Sequence, residues 1–416
     1  MRSTNQTVAS LTPHSSNLPQ IKPHPKLAAC PNKTKPPGQR NQADCIYPPE
    51  QSDPLNQSVA NAIHHAVCPH TTSQPTPAPP RIPLLPKPYN HPTFTLNFKN
   101  PCFLQGVNYK SSEDIRCVPY FLLPGFPKCA TTSVWEGLKV HPRIKLLHFK
   151  EPNFLHRLDR GGLPFTDAVK NYTDTFAEST KAIMSSPHFV NRETFYDQIT
   201  GEASVDYSFD NRYWPLYPGN ENCREPAVTL ADFAHRLNPN MKIIFVVRDP
   251  VERLYSDYVF ESLFLGYPVS KQGFHQRVLS TIAAHKLCRK YQSARACAYN
   301  SSLETWEVRL RVGMYHVFIE DWAAVFTANN IAVIRTEELD EDRKLETYRK
   351  LFKFLDVREL TPLEEKALLS KANFNIGTTK LVVGPMMHET KKILQDFYRP
   401  FNKKLSKLIP YITYNY

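Results

Sequence analysis

Three separated stretches of this chain carry residue types suited to handling an anion. In "PYFLLPGFPKCATTSVWEGL", residues 119–138, an apolar run stops at Gly125, Lys128 follows, Cys129 and Ala130 complete a loop, and Thr131, Thr132 and Ser133 open a helical pattern. A glycine permits the sharp turn, and a helix start presents free backbone N–H groups and the positive end of its dipole to an anion. The threonines and serine add hydroxyl donors, and Lys128 adds a charge. The usual nucleotide-phosphate loop reads G-x-x-x-x-G-K-[ST]. Here the lysine comes three residues after the glycine, no second glycine is present, and Phe126-Pro127 stiffens the turn. Such a loop suits one phosphate or sulfate better than a triphosphate. In "FVVRDPVERLYSDY", Arg248 ends a β-branched run and Ser256 lies eight residues on. A guanidinium can take two oxygens of a phosphate and a hydroxyl a third. The third stretch, "HFKEPNFL", places Glu151 beside Lys150, with His148 close by. Each stretch also has an ordinary reading: a strand–turn–helix with a surface lysine, an Arg248–Asp249 ion pair, and an exposed Lys–Glu pair of little energetic weight.

Strands and helices alternate around these stretches. A strand over 120–123 leads into the first loop, and "TTSVWEGLKVHP" forms a helix closed by His141-Pro142. "TGEASVDYS" reads as a strand, and "TLADFAHRLNPN" as an amphipathic helix stopped by Asn-Pro. "MKIIFVVRDP" is the most strongly apolar, β-branched run of the chain, followed by the helical "VERLYSDYVFESLF". "NIAVIRTEEL" and "LETYRKLFKFLDV" supply a further strand and helix. In "ETKKILQDFYRPFNKKLSKLI" the helical pattern continues across Pro400, which should kink or split it. Strands that are apolar throughout are covered on both faces, and their alternation with helices implies βαβ units and a parallel sheet. The expected fold is therefore α/β, a P-loop-like parallel sheet flanked by helices. Ligands of such sheets sit beyond the carboxyl ends of the strands. Both "GFPKCATTS" and "RDP" fall there and could share one cleft.

The 416 residues are unevenly composed. Residues 1–100 hold 19 of the 37 prolines, and nine Lys/Arg against three Asp/Glu, so this quarter supplies half of the net +12. Without sustained periodicity, residues 1–95 read as a disordered, basic, Pro-rich stem. Residues 96–416 suffice for one large domain. No run of 18 apolar residues occurs, so no membrane-spanning helix is expected, and "MRSTNQTVASLTPHSS" lacks the apolar core of a signal peptide. Sequons stand at Asn5, Asn32, Asn56, Asn171 and Asn300. The nine cysteines include no CxxC pair and no Cys/His cluster at zinc spacing, so no metal is expected. Cys288 and Cys297 bracket one short segment and Cys102 and Cys117 another. Two local disulfides fit an oxidising compartment, and unpaired buried thiols fit a reducing one.

The pair "GFPKCATTS" and "RDPVERLYSDY" resembles the two cofactor signatures of sulfotransferases, which use 3′-phosphoadenosine 5′-phosphosulfate (PAPS). The resemblance spans roughly residues 115–410 and is strongest to the Golgi carbohydrate sulfotransferases. "KEPNF", "GEASVDYS", "CRKYQ" and "ETKKILQDFYRPFN" look like the branch that sulfates the 6-hydroxyl of N-acetylgalactosamine 4-sulfate in chondroitin and dermatan sulfate. The resemblance implies that Gly125 to Ser133 bind the 5′-phosphosulfate and Arg248 with Ser256 the 3′-phosphate. Lys128 would donate to the oxygen bridging phosphate and sulfate, which stabilises developing charge. A sugar hydroxyl needs a positioned base. Glu151, 23 residues after Lys128, matches the Lys-Glu context in which heparan-type relatives place theirs, with His148 as a rival. Lys150 would bind sulfate or hold the glutamate ionised, and Glu202 would lie near the acceptor or serve as a buried structural glutamate. In "FNIGTTKLVVG", Thr379 and Lys380 would reach the cofactor phosphates. Cys129 reads as a packing residue, since nothing supplies a base for its thiol, and Trp135 and Trp214 as core. Golgi relatives carry an N-terminal membrane anchor, which this sequence does not show.

Two other functions remain open on the sequence alone. A basic paralogue could bind anionic glycans without turnover. A P-loop kinase or NTPase would need a Mg²⁺-binding aspartate, for which Asp249 is the near choice. No nucleic-acid-binding module is recognisable.

Overall fold

The computed structural model describes residues 93–105, 114–157, 165–190, 192–209, 211–217, 219–220, 222–371 and 383–414. The Pro-rich stem except its last three residues, the sequons at Asn5, Asn32 and Asn56, and Thr379 and Lys380 lie outside the described residues.

Two short antiparallel ribbons flank the main sheet. One pairs β1 (Cys102–Leu104) with β2 (Ile115–Cys117), and the other pairs β4 (His188–Val190) with β5 (Glu193–Phe195). The central sheet has the order β6-β3-β7-β8, formed by β3 (Phe121–Gly125), β6 (Gly201–Glu202), β7 (Lys242–Val247) and β8 (Ile331–Arg335), and every pairing is parallel. Five of the six β7 side chains are fully buried, as a strand covered on both faces requires. Burying each such Ile, Val or Phe contributes about 1.5–3 kcal/mol, so a charge at Val246 would disrupt the sheet.

The covering helices are α1 (Thr131–Leu138), α2 (Phe165–Asp174), α3 (Ala177–Met184), α4 (Leu230–Leu237), α5 (Pro250–Phe264), α6 (Lys271–Tyr291), α7 (Ala294–Ala298), α8 (Tyr315–Ala323), α9 (Glu341–Phe354), α10 (Pro362–Ser370) and α11 (His388–Leu408). Local chemistry sets their starts. Thr229 and Asp232 form a capping box on α4. Asp249 caps α5 by accepting from the N–H groups of Val251 at 2.8 Å and Glu252 at 3.4 Å, and Pro250 occupies the first helical position, where its missing N–H costs nothing.

Two expectations need correction. "TGEASVDYS" pairs as strand only at Gly201–Glu202. Val205–Ser208 instead forms a tight helical turn, whose side chains bond to the segment around Asn153 and Leu155. Pro400 does not split the last helix: α11 runs through it from His388 to Leu408. Pro400 itself is exposed, and the buried Leu394, Tyr398, Asn402 and Leu405 anchor the helix on either side of the one lost backbone bond.

Candidate active site

The carboxyl ends of the four central strands form a row; two of the predicted stretches leave from it, and the third, around Glu151, is bonded beside it. After β3 the chain enters the Gly125–Ser133 loop, fastened to the neighbouring strand by the Phe126 N–H donating to Val246 O at 3.0 Å. After β7 comes Arg248, whose Nη1 donates to the carbonyl of Lys128 at 3.3 Å. After β8 comes Thr336, whose hydroxyl donates to the carbonyls of Cys129 at 3.0 Å and Val247 at 3.2 Å. On the β6 side, the Glu151 N–H donates to Ala203 O at 3.0 Å. Stretches 120 residues apart in sequence therefore meet in one place.

The first loop is shaped for close approach. A Cβ on Gly125 would stand 2.3 Å from the Ser208 hydroxyl, so only glycine fits there. Lys128 and Ala130 both adopt left-handed backbone (φ 63° and 62°), a conformation costly for residues with a side chain and characteristic of functional loops. Ala130 caps α1 without a side-chain hydrogen bond, and the first turn holds no acidic residue. No side-chain cap or first-turn acid therefore competes with an anion at the amide end of α1, where Thr131 and Ser133 are buried and Thr132 half-buried. The Cys129 thiol is wholly buried against Pro127 O and the Tyr315 hydroxyl, and burial pushes it up to about 11. Only the backbone of Cys129 can serve the loop, as its reading as a packing residue implies.

Burial lowers the pKa of Lys128; Asp257 and Glu261 act in the opposite direction, and Arg309 and Arg248 reinforce the lowering. The two carboxylates belong to an ion network along α5. Arg253 Nη1 bonds Asp257 at 3.0 Å, and Arg309 reaches both Asp257 at 2.6 Å and Glu261 at 2.7 Å. Burial opposes ionisation of Asp257, but Arg309 and Arg253 outweigh it and hold its carboxyl below the usual range. Trp306 Nε1 donates to the other Glu261 oxygen at 2.9 Å. A cavity of about 160 Å³, lined by Asp206, Phe209, Trp306 and Arg309 among others, opens beside this network and not at Lys128 or Arg248.

The profile of the sulfotransferase domain family matches residues 119–375, which takes in both loops. The chain belongs to the sulfotransferase family. It is 34% identical over 306 residues to carbohydrate sulfotransferase 15 of Homo sapiens, covering 71% of this chain and 54% of that protein. It is 24% identical to heparan sulfate glucosamine 3-O-sulfotransferase 6 of Mus musculus, over 82% of this chain and 83% of that one. A solved sulfotransferase from Alicyclobacillus acidocaldarius superposes with a TM-score of 0.44 at 22% identity, covering 71% of this chain and 96% of its own. The chain spans about half the length of the carbohydrate sulfotransferase 15 proteins it matches.

In this sulfotransferase the remaining predicted residues fall as follows. Ser256 is half-buried on α5 and Arg248 half-buried at its foot. Lys150 and Glu151 form an ion pair with each other, the glutamate exposed and in left-handed backbone (φ 65°). His148, 72% exposed, turns instead to Glu178 on α3 at 3.3 Å. Glu202 takes the second of its two readings, that of a buried structural glutamate. It is fully buried, accepting from the hydroxyls of Tyr172, Tyr207 and Ser204, the last at 2.6 Å. Ser204 Oγ also accepts from Asn153 N at 3.0 Å, and Tyr207 OH from Leu155 N at 2.9 Å. Glu202 thereby anchors the segment that carries Glu151. Asp249, the metal-ligand choice of the kinase reading, is engaged as the α5 cap. Cys288–Cys297 and Cys102–Cys117 are disulfides, and Cys223 is disulfide-bonded as well. Asn171 is exposed on α2, and Asn300 is half-buried, its amide oxygen accepting from Ser302. Trp135 and Trp214 are core. Sequence reasoning missed Thr336, Tyr207 and the Asp257–Glu261–Arg309 network, none of which stands in a contiguous pattern. The Asp249 cap could have been found from its Asp-Pro start.

Proposed function

We propose that this chain transfers the sulfuryl group of PAPS to a glycosaminoglycan hydroxyl, the 6-hydroxyl of N-acetylgalactosamine 4-sulfate in chondroitin or dermatan sulfate. The reading rests chiefly on one observation: the Arg248 guanidinium bonds the backbone of Lys128, so the two cationic loops stand side by side at the carboxyl edge of the sheet. The similarity to carbohydrate sulfotransferase 15 supports the acceptor class. The amide end of α1, with Gly125, Thr131, Thr132 and Ser133, would hold the 5′-phosphosulfate, and Arg248 and Ser256 the 3′-phosphate. Glu151 would take the proton from the acceptor hydroxyl as its oxygen attacks sulfur. The bond between sulfur and the bridging oxygen breaks, and the electron pair leaves on the nucleotide phosphate. Lys128 would donate to that oxygen as its charge grows. No metal is required, because the leaving group is already a stabilised phosphate.

The two disulfides, and sequons at exposed Asn171 and half-buried Asn300, fit a Golgi lumen. We further read residues 96–416 as the catalytic domain, preceded by a basic stem. Among the described residues no helix is long and apolar enough to cross a membrane. Incubation with ³⁵S-labelled PAPS and chondroitin, dermatan, heparan and keratan acceptors, followed by disaccharide analysis, tests the reading. The expected product is the 4,6-disulfated N-acetylgalactosamine unit. Label on heparan alone would overturn the acceptor assignment. Label on none, with tight glycan binding, would identify a non-catalytic glycan binder.

A further inference from the structure

The Lys128 ammonium lies 3.9 Å from the centroid of the Phe260 ring. Phe260 is not a core residue: it is 50% exposed on α5, and its ring runs parallel to that of Phe264, 6.4 Å away, which is 76% exposed. Leucine would bury as well in such a place. What leucine cannot supply is the negative face of an aromatic ring, which attracts a desolvated ammonium. Asp257 and Glu261 on the same helix attract Lys128 and carry its charge balance, while Arg248 and Arg309 push against it. Those four fields do not fix a direction for the amine. The ring does, because a cation over its face sits along the ring normal.

We propose that Phe260 is a positioning residue for sulfuryl transfer, its ring face holding the Lys128 ammonium at the mouth of the donor loop. One side of the ammonium is engaged by the ring and shielded from water, which leaves its remaining N–H bonds for the leaving oxygen. The role rests on the function proposed for Lys128 above.

Substitution at position 260 tests it without threatening the fold, since the side chain is half-exposed. Phe260→Leu keeps apolar bulk and removes the ring. The Leu variant should lower kcat about three- to tenfold, with acceptor KM, donor affinity and melting temperature unchanged. Phe260→Tyr should restore kcat to within twofold of the parent. A graded series of mono-, di- and trifluorinated phenylalanine at 260 drains the ring face of negative charge at nearly constant size, so kcat should fall stepwise along it. A flat series with a fully active Leu variant would overturn the proposal. So would a Leu variant that raises acceptor KM and leaves kcat intact, which would make the ring an acceptor contact. Lys128→Ala separates the two levels. If that variant retains full transfer, the function assigned to Lys128 fails. If it is inactive while the fluorinated series stays flat, only the role of Phe260 fails.

Discussion

The loops after β3 and β7 leave the carboxyl edge of the sheet and the segment 150–155 is bonded beside it, but they are held by different means. The loops are tied at backbone carbonyls: the Phe126 N–H to Val246, the Arg248 guanidinium to Lys128, and the Thr336 hydroxyl to both Cys129 and Val247. Three strands thus fix the left-handed turn at Lys128 and Ala130. The segment 150–155 also contains left-handed residues, Glu151 and Asn153. Beyond the Glu151 N–H bond to Ala203 O, it hangs on the buried carboxylate of Glu202, through Ser204 and Tyr207, and presents the exposed Glu151 paired with Lys150. A backbone-locked loop can grip an anion of fixed shape. A segment hung on a few side chains can change its exposed residues without disturbing the sheet, which suits recognition of differing acceptors.

The largest effect should come from the locked half. Lys128→Ala removes the ammonium of the proposed donor loop and should lower kcat about 10²- to 10³-fold with the fold intact, read by single-turnover transfer and a melting curve. Arg248→Ala should act on binding instead, weakening PAP affinity by roughly 10- to 100-fold in calorimetry, the scale of a lost charge-assisted pair. Equal loss of kcat and no loss of affinity in the arginine variant would break the division of labour between the two cations.

Glu202→Ala probes the other half. It strands the hydroxyls of Tyr172 and Tyr207 in a fully buried site and should cost about 2–4 kcal/mol in urea unfolding. At temperatures where the variant is still folded, kcat should fall while PAP affinity holds, because the segment carrying Glu151 loosens and the donor loops do not. Loss of PAP affinity in this variant would show that the two halves are one unit.

The donor half was largely legible in the sequence. Gly125, Lys128, Arg248 and Ser256 sit in short contiguous patterns because one turn and one helix start supply nearly all of the geometry. The uninterrupted apolar run of β7 announced a doubly covered strand. On the side proposed for the acceptor, Lys150, Glu151 and Glu202 were legible but their anchoring was not. Glu202 draws its partners from Tyr172, Ser204 and Tyr207 across two segments, and Val205–Ser208 turns under the sheet where alternation predicted a strand. Phe260 reads as one more apolar residue of an amphipathic helix until the fold sets it beside Lys128. Pro400 read as a break, yet tertiary anchors on both sides carry α11 through it.

The smallest expected effect concerns the charge balance that joins the halves. In the proposed reaction Lys128 holds its proton to donate to the leaving oxygen. Burial lowers its pKa, Asp257 and Glu261 raise it, and Arg309 and Arg248 lower it further. Asp257 is a poor probe, because it is fully buried and bridges Arg253 and Arg309. Glu261→Gln is better, since its amide oxygen can still accept from Arg309 while the negative charge, and the acceptor for the half-exposed Trp306, are lost. Removing that charge takes away a contribution that raises the lysine and leaves Arg309 less compensated, so both changes lower the Lys128 pKa. The alkaline limb of kcat should therefore shift to lower pH, with kcat at neutral pH nearly unchanged. A limb that stays in place, or moves up, would mean that the proton lost there belongs to a group other than Lys128.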